Sequence, residues 1–453
     1  MCYLRSKFLL SFQECTNLIN RVLKVLYNNQ LNLIKYNIMK LGKFSIGLGD
    51  RFAHQGVAQL RAIAKANLSG LDISPVWNKS NREHIYVHSH PADVRVEADA
   101  AVATLGFTGK YFVDADHINM GTVAPFVATA DFFTLDVASF IGKESSAADV
   151  DAFVASCSKY MGNLVVPGID HPLVVTEELL KVIAGKFLAA TQQAAEIYNY
   201  LKVEKGVGTF ITEVSMDEVE SPQTPIELLF ILKMLANKGV PAQTIAPKFT
   251  GRFNKGVDYT GNVTQFAKEF EEDVLVLDFA VKEFGLPEEI KLSIHSGSDK
   301  FSIYPVMAEV IKKYDKGLHV KTAGTTWLEE VIGLAVAGGE ALDAAKTIYA
   351  NSYNRKDELC APYADVIDID ESKLPTVEEV NSWSSEKYAS TLRHIPGHAD
   401  YNPNFRQLIH VAYKVAAEMG TTYTDLLVKY SDIIGGCVEE NIYDRHLKRL
   451  FNL

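Results

Sequence analysis

The amino-acid sequence predicts an α/β fold, a (β/α)8 TIM-like barrel with helical insertions. Three observations carry this. From Ser45 onward, short β-prone runs alternate with long helical patterns, the order that builds a mostly parallel sheet. Polar or glycine-rich residues follow the C-terminal end of each run, where a closed barrel gathers its site. The chain also has 453 residues, 47% of them hydrophobic, which suffices for one large barrel.

In chain order the candidate strands begin with Phe44 to Gly49, an apolar run closed by glycine. Ile85 to His88 is a short apolar and aromatic run, and Tyr111 to Asp116 is another that ends in two aspartates. Thr209 to Val214, Thr244 to Phe249, Lys291 to His295 and Leu318 to Thr322 mix β-branched residues with inward-spaced polar ones, and Asp365 to Ile369 supplies a further run. Residues 147 to 205 read as helix with no strand, through Glu177 to Ala190 and Gln192 to Leu201, and form a helical insertion. A second polar, helical stretch from Glu371 to Asn404 exceeds an ordinary connection. Gly47-Leu48-Gly49 lacks the third glycine of a dinucleotide fingerprint, and there is no P-loop.

The formal charge is −11, with 45 Lys and Arg against 56 Asp and Glu. That balance argues against broad contact with nucleic acid or anionic membrane, so an anionic ligand needs a local cluster of cations. Five scattered cysteines without CxxC pairs exclude a disulfide framework and a cysteine zinc site, which suits a reducing cytoplasm. Residues 1 to 38 carry five Lys and Arg against Glu14 alone, a composition break at Met39. They read as a non-native or disordered extension, with residues 39 to 453 forming a single barrel-type catalytic domain. The alternative is a small amphipathic helix that docks on a partner. The run Phe8-Leu9-Leu10 is too short for a signal peptide or a membrane span.

Strand ends supply the candidate chemistry. In Tyr111 to His117 two aspartates at spacing two share one face, followed by a histidine at the turn. Charge inside a barrel is costly unless it binds something, so Asp116 and His117 read as functional rather than as a helix cap and a surface histidine. Ser293 and His295 share the inward face of Lys291 to His295, as His319 and Lys321 share that of Leu318 to Thr322. Imidazoles from His117, His295 and His319 with nearby carboxylate suit a divalent metal such as Zn²⁺, Mn²⁺, Ni²⁺ or Co²⁺. Glu213 is inward on its strand and suits an acid, a base or a further ligand. The turn Ser296-Gly297-Ser298 offers backbone N–H groups to an anion, and Lys248, Arg252 and Lys255 form a cationic loop in an otherwise acidic chain. Arg393 to Asn402 is rich in ligand-type residues and reads as a lid or a further wall of the pocket.

Taken together, six stretches resemble the tagaturonate epimerase family. They are Gly47 to Phe52, Val113 to Ile118, Pro247 to Tyr259, Ile294 to Tyr304, His319 to Thr325 and His394 to Arg406. The resemblance runs from about Lys43 to the C-terminus. It implies a barrel, a divalent metal, and interconversion of D-tagaturonate and D-fructuronate. With the ketone as carbon 2, these acids differ at carbon 4, whose C–H the ketone does not acidify. Retro-aldol cleavage between carbons 3 and 4 avoids that barrier, with a Lewis acid for the enolate and a base for the carbon 4 hydroxyl. Asp116 or Glu213 would be the base. Lys248 or Lys321 would steady the enolate oxygen, and Arg252, Lys255 and the Ser296-Gly297 amides would hold the substrate carboxylate. The alternatives are a metal-dependent sugar-acid aldolase and a catalytically silent sugar-acid sensor. A homo-oligomer is compatible with all three.

Overall fold

The structure, a computed structural model, describes residues 38 to 453 except 218, 297, 298 and 323. Eight parallel strands close into a barrel: β1 (Phe44–Gly49), β2 (Ile73–Ser80), β3 (Phe112–Ile118), β4 (Phe132–Asp136), β5 (Ile211–Ser215), β6 (Thr244–Ala246), β7 (Lys291–His295) and β8 (Leu318–Lys321). Each strand pairs with its sequence neighbours, and β8 returns to β1 through Ser45 opposite His319 and Gly47 opposite Lys321. The predicted fold class is therefore the one observed.

The register sorts the inward side chains into stacked layers. Val76, Phe132, Thr244 and His319 lie low, followed upward by Gly47, Asp114, Glu213 and Ser293, then Asn78, Thr134, Ala246 and Lys321, then Gly49, Asp116, Ser215 and His295. An apolar plug of Leu41, Val76, Phe112, Phe132 and Ile211 fills the base. Above it the interior turns polar, so the base holds the barrel shut by burial while the upper half gathers the inward charged groups. Outside the strands, one cluster packs β3 to β7 against the helices Glu177–Lys205, Pro225–Asn237 and Val263–Phe284. A second packs β1 and β2 against Gly56–Asn67, Thr325–Ala337 and the helical tail that follows.

Several expectations change. Ile85 to His88 is not a strand: it lies in and just after the helix Asn81–Val87, which Ser80 and Glu83 start with a reciprocal capping box. The second strand is instead Ile73–Ser80. Asp365 to Ile369 joins no sheet; it leaves a 3₁₀ segment, Ala361–Val366. The stretch 147 to 205 is not free of strand, because Gly162–Leu164 and Leu173–Val175 pair as an antiparallel hairpin. Its last part is one continuous 29-residue helix, capped by Thr176, that serves as the crossover from β4 to β5. Residues 1 to 37 lie outside the described residues. Among the described residues no helix is long and apolar enough to cross a membrane, and Cys157, Cys360 and Cys437 are free thiols.

Candidate active site

Alternation along β3 sends Asp114 and Asp116 into the barrel and would send His117 outward. The pairing of β3 with β4 instead shifts between Ala115 and Ile118, and His117 takes a left-handed backbone with φ of 50°. A left-handed histidine is uncommon and costs energy, a pattern found at functional positions. The turn brings its imidazole back over the mouth, where its ring meets that of His295 edge-on at 5.1 Å between centroids.

Lys321 is the hub of the upper interior. Its Nζ donates to Asp116 Oδ1 and Thr134 Oγ1 at 2.6 Å each, and lies 2.8 Å from Asp114 Oδ2 and 3.2 Å from Glu213 Oε1. Four oxygens thus surround three N–H donors. Gly47 makes room for this side chain: a Cβ there would fall 2.8 Å from Lys321 Cγ. Burial disfavours the ammonium, but Asp114, Asp116 and Glu213 outweigh it and raise the Lys321 pKa well above the usual lysine value. Burial would also keep Asp116 and Glu213 neutral, yet Lys321 with His117 holds the first down, and Lys321 with His295 holds the second down. Asp114 is left over: burial, with Asp116 and Glu213 close by, outweighs Lys321 and pushes it up to about 7.

Next to this hub lies a histidine pair. His295 Nε2 bonds Glu213 Oε1 at 2.9 Å and its Nδ1 bonds Asp217 Oδ1 at 3.1 Å. His117 Nδ1 bonds Asp116 Oδ1 at 2.9 Å, and its Nε2 lies 3.8 Å from Asp217 Oδ1. Burial opposes charge on His295, but Asp217 and Glu213 outweigh it and raise its pKa. His117, Asp217 and His295 can offer ligand atoms all within 4.8 Å of one another. Each imidazole turns its other nitrogen to a carboxylate, which is how metal-ligating histidines are oriented. The donor set fits a divalent cation.

The structure thus brings Asp116, His117, Glu213, His295 and Lys321 together. His319 sits elsewhere, in the low layer: Nδ1 meets Ser45 Oγ at 2.8 Å, the ring lies beside Phe132, and burial pushes its pKa down to about 3. Asp217 occupies the place expected of His319 among the potential ligands. The sequence signal for it was present, since Glu213, Ser215 and Asp217 continue one alternation beyond β5. Lys248 stands half-buried at a narrow cleft of about 20 Å³ lined also by Asp217, Pro247, Phe249, Phe253, Ile294 and His295.

The cationic loop lies outward of that cleft. Arg252 is exposed and pairs with Asp368 at 3.1 Å, while the Lys255 amide bonds Val366 O. Lys300 fastens the loop from within, its buried Nζ donating to the carbonyls of Asn254 and Val257. Both the amide and the hydroxyl of Ser296 donate to Lys321 O, so this residue braces β8; Gly297 lies outside the described residues. The Arg393 to Asn402 stretch packs into a different network: His394 Nδ1 meets Asp299 Oδ2 at 3.2 Å, Arg406 Nη2 donates to the same oxygen at 2.9 Å, and His446 Nε2 lies 3.4 Å from Oδ1.

A profile of the tagaturonate epimerase family matches residues 12 to 450. A tagaturonate/fructuronate epimerase from Thermotoga maritima is 30% identical over 381 residues, covering 82% of this chain and 72% of the relative. The glycerol-complexed crystal structure of a fructuronate-tagaturonate epimerase from Cohnella laeviribosi superposes with a TM-score of 0.74 at 23% identity, covering 91% of this chain and 82% of the other. The native form of that protein gives 0.73. At that identity the superposition speaks to the fold.

Proposed function

The chain belongs to the tagaturonate epimerase family, and from that premise we propose that it interconverts D-tagaturonate and D-fructuronate by opening and re-forming the bond between carbons 3 and 4, with residues 39 to 453 acting as one catalytic unit. The observation that carries the chemistry is the joined pair of clusters at the barrel mouth: the Lys321 hub and the imidazoles of His117 and His295.

In this reading a base takes the proton of the carbon 4 hydroxyl. The C3–C4 bond then breaks, its electrons entering an enolate across carbons 2 and 3 while carbon 4 becomes an aldehyde. Rotation of the aldehyde and re-formation of the bond invert carbon 4, and the proton returns; no oxidant is consumed. Asp116 is the base best supported by geometry, because its side chain keeps 11% exposure where Asp114 and Glu213 have none. Glu213 acts through His295, whose Nε2 it holds. Asp114, titrating near 7 beside the same ammonium, is suited to share the proton that Asp116 receives.

Lys321 is held as an ammonium with all its donors engaged, which favours charge balance over a Schiff base. Lys248, at the cleft beside His295, then serves as the cation for the developing enolate oxygen, and Arg252 and Lys255 receive the carboxylate at the outer rim. His117, His295 and Asp217 would hold a divalent cation, which when bound supplies Lewis acidity toward the ketone oxygen.

Incubation with tagaturonate and each of Zn²⁺, Mn²⁺, Ni²⁺ and Co²⁺ is expected to yield fructuronate with at least one metal; no turnover with any of them ends the reading. Accumulating three-carbon fragments would move it to an aldolase. Asp116→Asn is expected to lower kcat by roughly 10²–10⁴-fold while the sugar acid still binds. A sensor has no turnover to lose.

A further inference from the structure

Asn78 is the inward residue of β2 in the same layer as Lys321, Thr134 and Ala246. It is 2% exposed, yet neither Oδ1 nor Nδ2 of its carboxamide has a partner among the described residues. Nearby, Lys321 takes Asp114, Asp116, Thr134 and Glu213 Oε1, none of which bonds the carboxamide. Burying an amide with no partner costs free energy that a native protein recovers elsewhere.

The strand between Asn78 and Lys321 is β1, and its inward positions at this height are Gly47 and Gly49. A methyl group at Gly47 would stand 2.9 Å from Asn78 Nδ2 and 2.8 Å from Lys321 Cγ. Glycine at 47 therefore lets the Asn78 carboxamide and the aliphatic stem of Lys321 close in over β1, one layer beneath Asp116. An uncharged group offering both donors and an acceptor matches a hydroxyl, which also gives and takes a hydrogen bond. A carboxylate is a poor match beside three carboxylates sharing one lysine.

We propose that Asn78 is a substrate-binding residue whose carboxamide hydrogen-bonds a hydroxyl of the sugar acid at the floor of the site. The inference rests on the epimerase reading. It also explains why the amide is tolerated, since its partner arrives with the ligand and a site built for a hydroxyl discriminates against analogues lacking it.

The test compares wild type with Asn78→Ala and Asn78→Ser in tagaturonate kinetics and in melting temperature with and without the sugar acid. Both variants are expected to raise KM about tenfold with a smaller change in kcat. The ligand-free Tm should stay level or rise, because an unmet polar group has been removed, while the Tm gain from ligand shrinks. KM within about twofold of wild type overturns the inference. So does a fall in ligand-free Tm with loss of kcat, or failure of both variants to fold, since either assigns Asn78 to the fold. Absence of turnover by wild type ends the epimerase reading and this inference together; turnover by wild type with unaltered variants ends the inference alone.

Discussion

Two buried ionic networks stand on the same barrel and are built on opposite principles. Around Lys321, three carboxylates compete for one ammonium, one of them is pushed up to about 7, and two imidazoles border the group at the mouth. Around Asp299 the proportion is reversed: one carboxylate faces Arg406, His394 and His446, and burial is outweighed so that its pKa falls well below the usual value. The first network is short of cations and keeps a carboxyl near neutrality. The second sets one carboxylate among an arginine and two histidines and ties the segment after β7 to the helical tail, whose π-helical turn Asn441–Leu447 carries His446. A perturbed pKa accompanies the proposed chemistry in the first and an anchor between segments in the second, which is why burial of charge alone does not identify a site.

The largest effect should come from Lys321→Met. It leaves three carboxylates in the barrel without their ammonium, costing about 3–5 kcal/mol in urea unfolding and abolishing turnover; a variant as stable as wild type would break the account of the hub. Asp299→Asn should cost about 3 kcal/mol by the same measurement, yet leave kcat at a permissive temperature within about threefold. Loss of catalysis without loss of stability there would mean that the anchor takes part in the reaction.

The smallest effect is one of pH. The folded pKa of Asp114 is about 7 against an ordinary 3.8. Between those values the folded state binds the extra proton, so this residue's contribution to stability declines as pH rises from about 4 to 7. Asp114→Asn should flatten that decline, with the difference between variant and wild type shifting by about 1–3 kcal/mol across the window. Parallel pH curves for the two proteins would remove Asp114 as the titrating member of the hub.

The barrel was legible where strands alternate cleanly. Lys291–His295 and Phe44–Gly49 coincide with their predicted bounds, and the inward Asp116, His295 and Lys321 follow from spacing two. β2 was hidden because Pro75 and the polar Asn78-Lys79-Ser80 interrupt its apolar run. β4 was hidden because only the 3₁₀ turn Ala124–Phe126 separates it from β3, whereas parallel strands are usually joined by a helix. The site was legible in its members more than in its partition. His319 and His295 share a residue type and an inward parity, and only the register, which places His319 below Ser293 and Lys321, separates a buried ring from a potential ligand. The capping box at Ser80 and Glu83 was present in the sequence and argues against a strand at Ile85.

Synthesis order gives the Lys321 hub a temporal side. Asp116 precedes its lysine by 205 residues and Glu213 precedes it by 108. At translation speeds of about 5–20 residues per second, the aspartate waits on the order of 10–40 s for its cation. Until then, its cheapest state is hydrated, which opposes drying of the upper barrel. The arrival of β8 brings the ammonium and the last strand pairing, with β1, at once. Closure of the sheet and the arrival of its interior cation are thus one event, and a nascent barrel lacking that strand stays open and wet at the end where the hub will sit.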